Sequence, residues 1–325
     1  SMSNFESFLA RKLEEYVTYR KNLGYAKKAL RPGLNAFDRY LKEQNAGWDD
    51  MQSSFFLQLR SNLQNNPNTV NRVLSAIRGF FNFLIRQGLY THNPLQDVPP
   101  LPEKYFIPFV FSPEETDQLL KAISKRIRNT KEHFLTDVAL YLAVLLLARC
   151  GMRIMEPLRL KLMQYRPDDG TIYIEKTKFR KDRLIPLPVS VMTEIENYLS
   201  VRRSLLPHDA NPYLLAWTGQ KGIKDRHVRN LFHRSVKQIG LSGSKQTIGN
   251  VTFGYPTPHS LRHSFAINTL KGIKDRGKST QHALPVLAAY MGHRKYQYTH
   301  AYLKVSDAKH VAGLIAFSKS QLDVV

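Results

Sequence analysis

Before position 90, apolar residues return at helical spacing in four separate stripes. Phe5, Phe8, Leu9, Leu13, Tyr16 and Val17 form the first, which breaks at Gly24. Leu30, Leu34, Phe37 and Leu41 form the second, and Met51, Phe55, Leu59 and Leu63 the third. The fourth is the heaviest: Val70, Val73, Leu74, Ile77, Phe80, Phe81, Leu84 and Ile85, set between Asn65-Asn66-Pro67 and Gly88. Residues three or four apart share one face of a helix, so each stripe predicts an amphipathic helix with its apolar side inward. Four such helices in so short a length predict a small bundle.

The pattern changes at Asn93. Pro94, Pro99, Pro100, Pro102 and Pro108 make a semi-rigid stretch poor in helix, so 96–110 is expected to link a domain at 1–95 to another at 111–325. Ser112-Pro-Glu-Glu-Thr116 reads as a helix start with acidic residues in its first turn. Thr136 to Ala148 is apolar almost all round and predicts a buried helix, ended or bent at Gly151. Thr171-Ile-Tyr-Ile174 and Leu184-Ile-Pro-Leu187 predict a β-hairpin whose turn, Glu175 to Arg183, holds five cations. Met192 to Leu199 and the basic stretch Lys224 to Lys237 predict two further helices. The basic stretch Leu270 to Ala283, with its glycines, is expected as an exposed loop. Val305 to Val325 ends the chain as a short amphipathic tail. The fold class is therefore mainly α: a helical bundle, then an α+β domain with a small sheet.

Length and composition sharpen this picture. The chain's 325 residues suffice for two cores, and 42% apolar with 11% aromatic content excludes general disorder. A formal charge of +22 points to a polyanionic partner, nucleic acid first. Residues 1–100 hold 13 Lys and Arg against 8 Asp and Glu, and residues 101–325 hold 35 against 18, so the second domain is the strongly cationic one. Candidate DNA contacts are Lys27, Lys28, Arg72 and Arg78 in the first domain, and Lys181, Arg183, Arg226 and Arg229 in the second. A solvated helix surface is the alternative for each. The one cysteine, Cys150, excludes an internal disulfide, suits a reducing cytoplasm, and beside its apolar run reads as a buried thiol. The longest apolar run, Ala139 to Ala148, is short of the ~20 residues a bilayer span needs, so no membrane partner is expected. No signal peptide opens the sequence, and Ser1-Met2-Ser3 reads as residues placed ahead of a natural start.

Two stretches carry the candidate chemistry. In Thr257-Pro-His-Ser-Leu-Arg-His-Ser-Phe265, Thr257 is a helix-cap candidate and Pro258 suits the first turn. His259 and Arg262, three apart, then pair a proton-transfer group with a phosphate-binding cation on one face. In Tyr290 to Tyr302, His293 precedes Tyr302 by nine residues, and a tyrosine near histidines and arginines is a candidate nucleophile. Further upstream, Arg153 and Glu156 also lie three apart, beside Gly151. His259 and His263 could face a metal, but no glutamate completes a His-Glu-x-x-His motif, so no metal is expected and His263 reads as structural. No nucleotide-binding motif is present either.

Together these segments resemble the carboxyl-terminal signature of the tyrosine recombinases, or phage-type integrases. That family carries His-x-x-Arg, then Gly-His, then a nucleophilic tyrosine nine residues after that histidine; here these are His259/Arg262, Gly292-His293 and Tyr302. The family's first arginine sits in a Gly-x-Arg-x-x-Glu-Leu-like segment, matched by Gly151-Met-Arg153-Ile-Met-Glu156 with Pro157 in place of leucine. Its lysine lies in Gly-Lys-Gly-x-Lys-x-Arg-x-x-Pro-Leu. Aligning Arg183-Leu-Ile-Pro-Leu187 with that pattern indicates Lys178, though Thr177 and Phe179 replace the glycines and Lys176 and Lys181 stay open.

The resemblance implies a SAM-like core-binding bundle, a linker and a catalytic domain that clamp double-stranded DNA. It also implies a homo-tetramer on paired DNA sites, formed from monomers or dimers. Arg153 and Arg262 would hold the phosphate, His259 would act as base and Lys178 as acid. His293 would donate a hydrogen bond, Tyr302 would form a 3′-phosphotyrosyl link, and Glu156 would orient a neighbour, all without metal or cofactor. Integration or transposition of a mobile element is the expected setting. The competing readings are type IB topoisomerase-like relaxation and a DNA-binding protein without catalysis.

Overall fold

The computed structural model describes residues 5–25, 27–102, 105–175, 182–217, 219–248 and 251–292. The chain falls into two compact units, Ser1–Tyr105 and Phe106–Val325.

In the first unit each of the four stripes contains a helix, α1 (Ala10–Asn22), α2 (Lys27–Glu43), α3 (Ser53–Asn62) and α4 (Pro67–Arg86), though Phe5, Phe8 and Leu9 precede α1, and Met51 and Leu63 flank α3. Local chemistry sets the ends of α4. The Asn66 side chain accepts the Asn68 N–H at 2.9 Å, and Pro67 occupies the first position, where no donor is needed. Beyond the last turn, Gly88 takes φ +71°, a left-handed conformation that stops the helix. Eight residues of α4 are buried, and Phe80 and Phe81 meet Phe37 and Phe56 in an aromatic centre; Phe56 and Phe81 lie edge-on at 5.4 Å. Gly33 of α2 faces Ala76 of α4, where a Cβ would stand 2.9 Å from the alanine methyl. The missing side chain lets the two helices close.

The proline-rich stretch is not a free spacer at its start. Leu95 and Val98 are buried in the first core. Arg78 donates to the carbonyls of Leu95 at 3.4 Å and Val98 at 2.8 Å, and Asn71 grips Leu101 both ways, at 2.8 Å each. Proline leaves carbonyls without a neighbouring N–H partner, and a long arginine supplies the donors instead.

The second unit is built on α6 (Phe134–Cys150), whose core face is almost its whole circumference. Around it lie α5 (Pro113–Ser124), α8 (Val189–Leu205), α9 (Asp225–Gln238) and α10 (Pro258–Asp275). The start of α5 is a capping box: Ser112 Oγ accepts from Glu115 N–H and Glu115 accepts from Ser112 N–H. The short helix α7 (Met155–Arg159) follows α6, and α11 (Thr280–Met291) follows α10. Cys150 is buried at the end of α6, and burial pushes its thiol up to about 12.

Two small three-stranded sheets replace the single one expected. The predicted hairpin is β3 (Thr171–Ile174) with β4 (Arg183–Pro186), registered Ile172 opposite Ile185, and β2 (Tyr165–Arg166) joins its other edge. The second sheet runs in the order β1 (Tyr105–Ile107), β6 (Val251–Phe253), β5 (Gln246–Ile248). Its strands are three residues each, too short to show an alternating signal. The stretch 270–283 also differs from expectation. It is not an extended loop: α10 runs on to Asp275, α11 begins at Thr280, and only a turn around Gly277 (φ +70°) separates them. Glycine at 272 weakens a helix but does not stop one that is packed on its inner face.

Gly151 closes α6 at φ +57°, and a Cβ there would stand 2.4 Å from Phe265 Cδ1. Gly151→Ala is therefore expected to lower the unfolding free energy by about 2–4 kcal/mol, combining left-handed strain with overpacking. Gly240→Ala, at φ +75° with open space around it, should lose only about 1–2 kcal/mol. Equal losses in urea melts would refute the steric half of this account.

Candidate active site

The site forms where the ends of α6 and α11 meet the first turns of α10. Thr257 caps α10, its N–H donating to Ser260 Oγ at 3.0 Å, and Pro258 opens the first turn. This presents His259 one turn before the side chain of Arg262. Arg262 is 1% exposed, the largest fully buried side chain among the described residues. Its Nη1 donates to the carbonyl of Gly151, which ends α6, and its Nη2 to the carbonyl of Met291, which ends α11.

Arg153 reaches the same corner from the segment after Gly151. Its Nη2 donates to the Gly292 carbonyl at 3.0 Å, one residue beyond Arg262's acceptor. Its Nη1 donates to Glu156 Oε1 at 3.0 Å, while its own backbone N–H donates to Glu156 Oε2 at 2.7 Å. Arg183, on β4, donates to that same Oε2 at 2.8 Å. Burial pushes the Glu156 carboxyl up, but Arg183 and Arg153 outweigh it and hold the group below the usual carboxylate value. Glu156 thus contacts two guanidiniums at once.

His259 experiences the opposite balance. Burial, followed by the charges of Arg262, Arg153 and Arg229, lowers its imidazole to about 4. Its ring meets that of His263 edge-on at 4.5 Å. Tyr290 bridges the two helix ends a second time: its hydroxyl donates to the Cys150 carbonyl at 3.1 Å, and its ring stacks on Phe265. No group of three His, Cys, Asp or Glu side chains among the described residues could hold a metal. None of the described helices is long and apolar enough to cross a membrane.

Of the expected catalytic set, the structure brings together Arg153, His259 and Arg262, with Glu156 as their buried anion. Gly292, the residue preceding His293, lies in the same corner. Lys178, with its alternatives Lys176 and Lys181, lies outside the described residues, as do His293 and Tyr302. Among the expected DNA contacts, Arg72 and Arg226 are exposed, and Arg229 pairs with Asp225 at 3.3 Å on the surface of α9. Arg78 instead spends its donors on backbone carbonyls. The side chains of Lys27 and Lys28 lie outside the described ones. Arg183 does not project from the hairpin towards solvent. It is buried against Glu156, and the signal for this was in the strand's alternation, which puts Arg183 on the face of Ile185 and opposite to Leu184.

The profile of the Phage integrase family matches residues 110–309, and that of the phage integrase N-terminal SAM-like domain matches residues 12–88. The chain is 28% identical over 301 residues to the tyrosine recombinase XerA of Pyrococcus furiosus, covering 92% of this chain and 91% of that one. It is 25% identical over 315 residues to the tyrosine recombinase XerC of Thermodesulfovibrio yellowstonii, covering 95% of each. Among solved structures, the XerH site-specific recombinase bound to palindromic difH substrate, in a post-cleavage complex, is similar with a TM-score of 0.67 at 18% identity; the match covers 97% of this chain and 91% of that one. A lambda integrase tetramer bound to a Holliday junction gives a TM-score of 0.65 at 18% identity, covering 90% of this chain and 76% of that one. At these identities the structural likeness speaks for the fold.

The depressed His259 pKa has a measurable sign. An unfolded histidine binds its proton near pH 6.5 and the folded one only near 4, so the unfolded chain holds more protons between those values and stability falls as pH drops through them. His259→Gln is expected to remove up to about 3 kcal/mol of the acid destabilisation between pH 6.5 and 4. An NMR titration of His259 with a midpoint above 6 would contradict this.

Proposed function

The chain belongs to the phage integrase family, and we propose that it is a site-specific DNA recombinase whose catalytic domain is the second unit and whose core-binding domain is the first. The observation that carries this is the convergence of Arg153 and Arg262, far apart in sequence, on the adjacent carbonyls of Gly292 and Met291. The family motif places His293 directly after them and Tyr302 nine residues later.

The chemistry follows from what these groups can do. The Tyr302 hydroxyl oxygen attacks phosphorus, the bond from phosphorus to the 5′ oxygen breaks, and the DNA is left joined to the tyrosine through its 3′ phosphate. Two guanidiniums stay charged at any working pH and stabilise charge developing on the non-bridging oxygens. His259 is neutral in the free protein, so it is able to accept the tyrosine proton. A phosphate seated nearby brings negative charge and raises its basicity again. Lys178 protonates the departing 5′ oxygen, and His293 donates to the phosphate. The roles of Lys178, His293 and Tyr302 rest on motif spacing. The bond energy kept in the phosphotyrosine permits rejoining to a new strand. Exchange between two sites needs four such subunits, as in the lambda integrase tetramer on a Holliday junction, and a homo-tetramer on paired double-stranded sites is the assembly we propose. A mobile-element setting goes with this reading, since a Tn1549 transposon integrase in complex with a circular intermediate DNA is similar in structure, with a TM-score of 0.62 at 17% identity.

Covalent capture tests the reading. Incubated in EDTA with DNA from the junctions flanking its own gene, the parent protein should give an SDS-resistant, protease-sensitive adduct, and Tyr302→Phe none. Arg153→Ala should lower the cleavage rate by about 100- to 1000-fold. An adduct that survives Tyr302→Phe would move the nucleophile, and tight binding without any adduct in the parent would favour a DNA-binding protein without catalysis.

A further inference from the structure

Arg183 is not accounted for by the phosphate clamp, yet it is the more constrained of Glu156's two side-chain partners. Its side chain is 9% exposed. One nitrogen, Nη2, donates to Glu156, while Nε and Nη1 are buried with no hydrogen-bond acceptor among the described residues. Burying guanidinium donors without acceptors is costly, so this placement demands a compensating role. The guanidinium also lies close against Gly292: a Cβ there would stand 3.0 Å from Nη1 and 3.5 Å from both Cδ and Cζ. Gly292 has φ +61° and closes α11, and its carbonyl is the one that Arg153 holds.

These contacts form a closed ring. Arg183 holds Glu156, Glu156 holds Arg153 by side chain and backbone, Arg153 holds the Gly292 carbonyl, and the face of Gly292 rests on Arg183. The ring joins the base of the basic hairpin, the first clamp arginine and the turn that leads into His293. We propose that Arg183 is a positioning residue for DNA cleavage, acting through Glu156 on the Arg153 guanidinium and through Gly292 on the turn ahead of His293. The proposal rests on the recombinase reading for its activity test, but its structural half stands without it. Lysine cannot replace it fully: an ammonium meets Glu156 as a point charge but offers no flat plate to Gly292.

Arg183→Met should slow adduct formation on nicked DNA from the flanking junctions by roughly 10- to 100-fold, the scale of a misplaced catalytic group, while affinity for that DNA changes little. Arg183→Lys should recover part of the loss. The discriminating substrate carries a neutral methylphosphonate at the scissile position, where a cation clamp matters less. There the defect should shrink to within about threefold if Arg183 works through Arg153 on phosphate charge. An equal defect on both substrates, or none on either in a parent that cleaves, overturns the proposal. A parent that never cleaves overturns the recombinase reading instead.

Hydrogen exchange then decides the structural half without DNA. The Arg153 amide, donating to Glu156 Oε2, and the Gly292 amide should exchange at least about tenfold faster in Arg183→Met, with α6 unchanged. Unchanged protection at both sites overturns the proposal whatever the DNA does.

Discussion

A guanidinium shut away from water must find its counter-charge inside the protein, and Arg262 finds it at two helix ends. The carbonyls of Gly151 and Met291 terminate α6 and α11, where peptide dipoles leave partial negative charge and acceptors that the helix itself cannot satisfy. One cation answers both. The rest of the site follows from this closure. Gly151 must be left-handed for α6 to stop there, Arg153 leaves the chain just beyond it, and the end of α11 is brought within Arg153's reach. Arg262 thus ties the ends of α6 and α11 to the first turns of α10.

Burial acts on the two titrating groups of the site in the same sense and with opposite outcomes. It disfavours charge on both Glu156 and His259. Around Glu156 the arginines reverse that effect and keep the carboxylate ionised; around His259 they reinforce it and keep the imidazole neutral. Among the described residues, two guanidiniums, of Arg153 and Arg183, share the one carboxylate of Glu156, while the third, of Arg262, is held by backbone carbonyls. Charge pairs shut away from water in this way interact more strongly than they would at the surface.

Much of this could be read in the residues alone, and the gaps have physical causes. The four helices of the first unit are long and strongly periodic, so their stripes were legible. The starts at Ser112 and Thr257 were legible too, because capping is local chemistry. The second sheet was not, since strands of three residues carry no period. The 270–283 stretch looked like a loop because Gly272 and Gly277 suggest breaks, whereas packing of the inner face carries α10 past the first and lets it end before the second. Spacing gave the pairs Arg153/Glu156 and His259/Arg262 and the family resemblance joined them into one list, but neither says that Arg183 points inward to share Glu156. Only the alternation of β4 hints at it, and the density of cations in the preceding turn masks that hint. Arg78 shows the converse: a cation in a basic protein, counted towards DNA, whose donors are taken up by backbone carbonyls.

The lone thiol has a practical side. Cys150 sits at the last turn of α6, fully buried, with its carbonyl engaged by Tyr290 and its ionisation suppressed by burial. Alkylating probes react with thiolates, so this sulfur is silent towards them while the fold persists. Any cysteine introduced on the surface becomes the single reactive handle of the chain. A fluorophore or spin label can therefore be placed at will on either unit without first removing a native residue from beside the site.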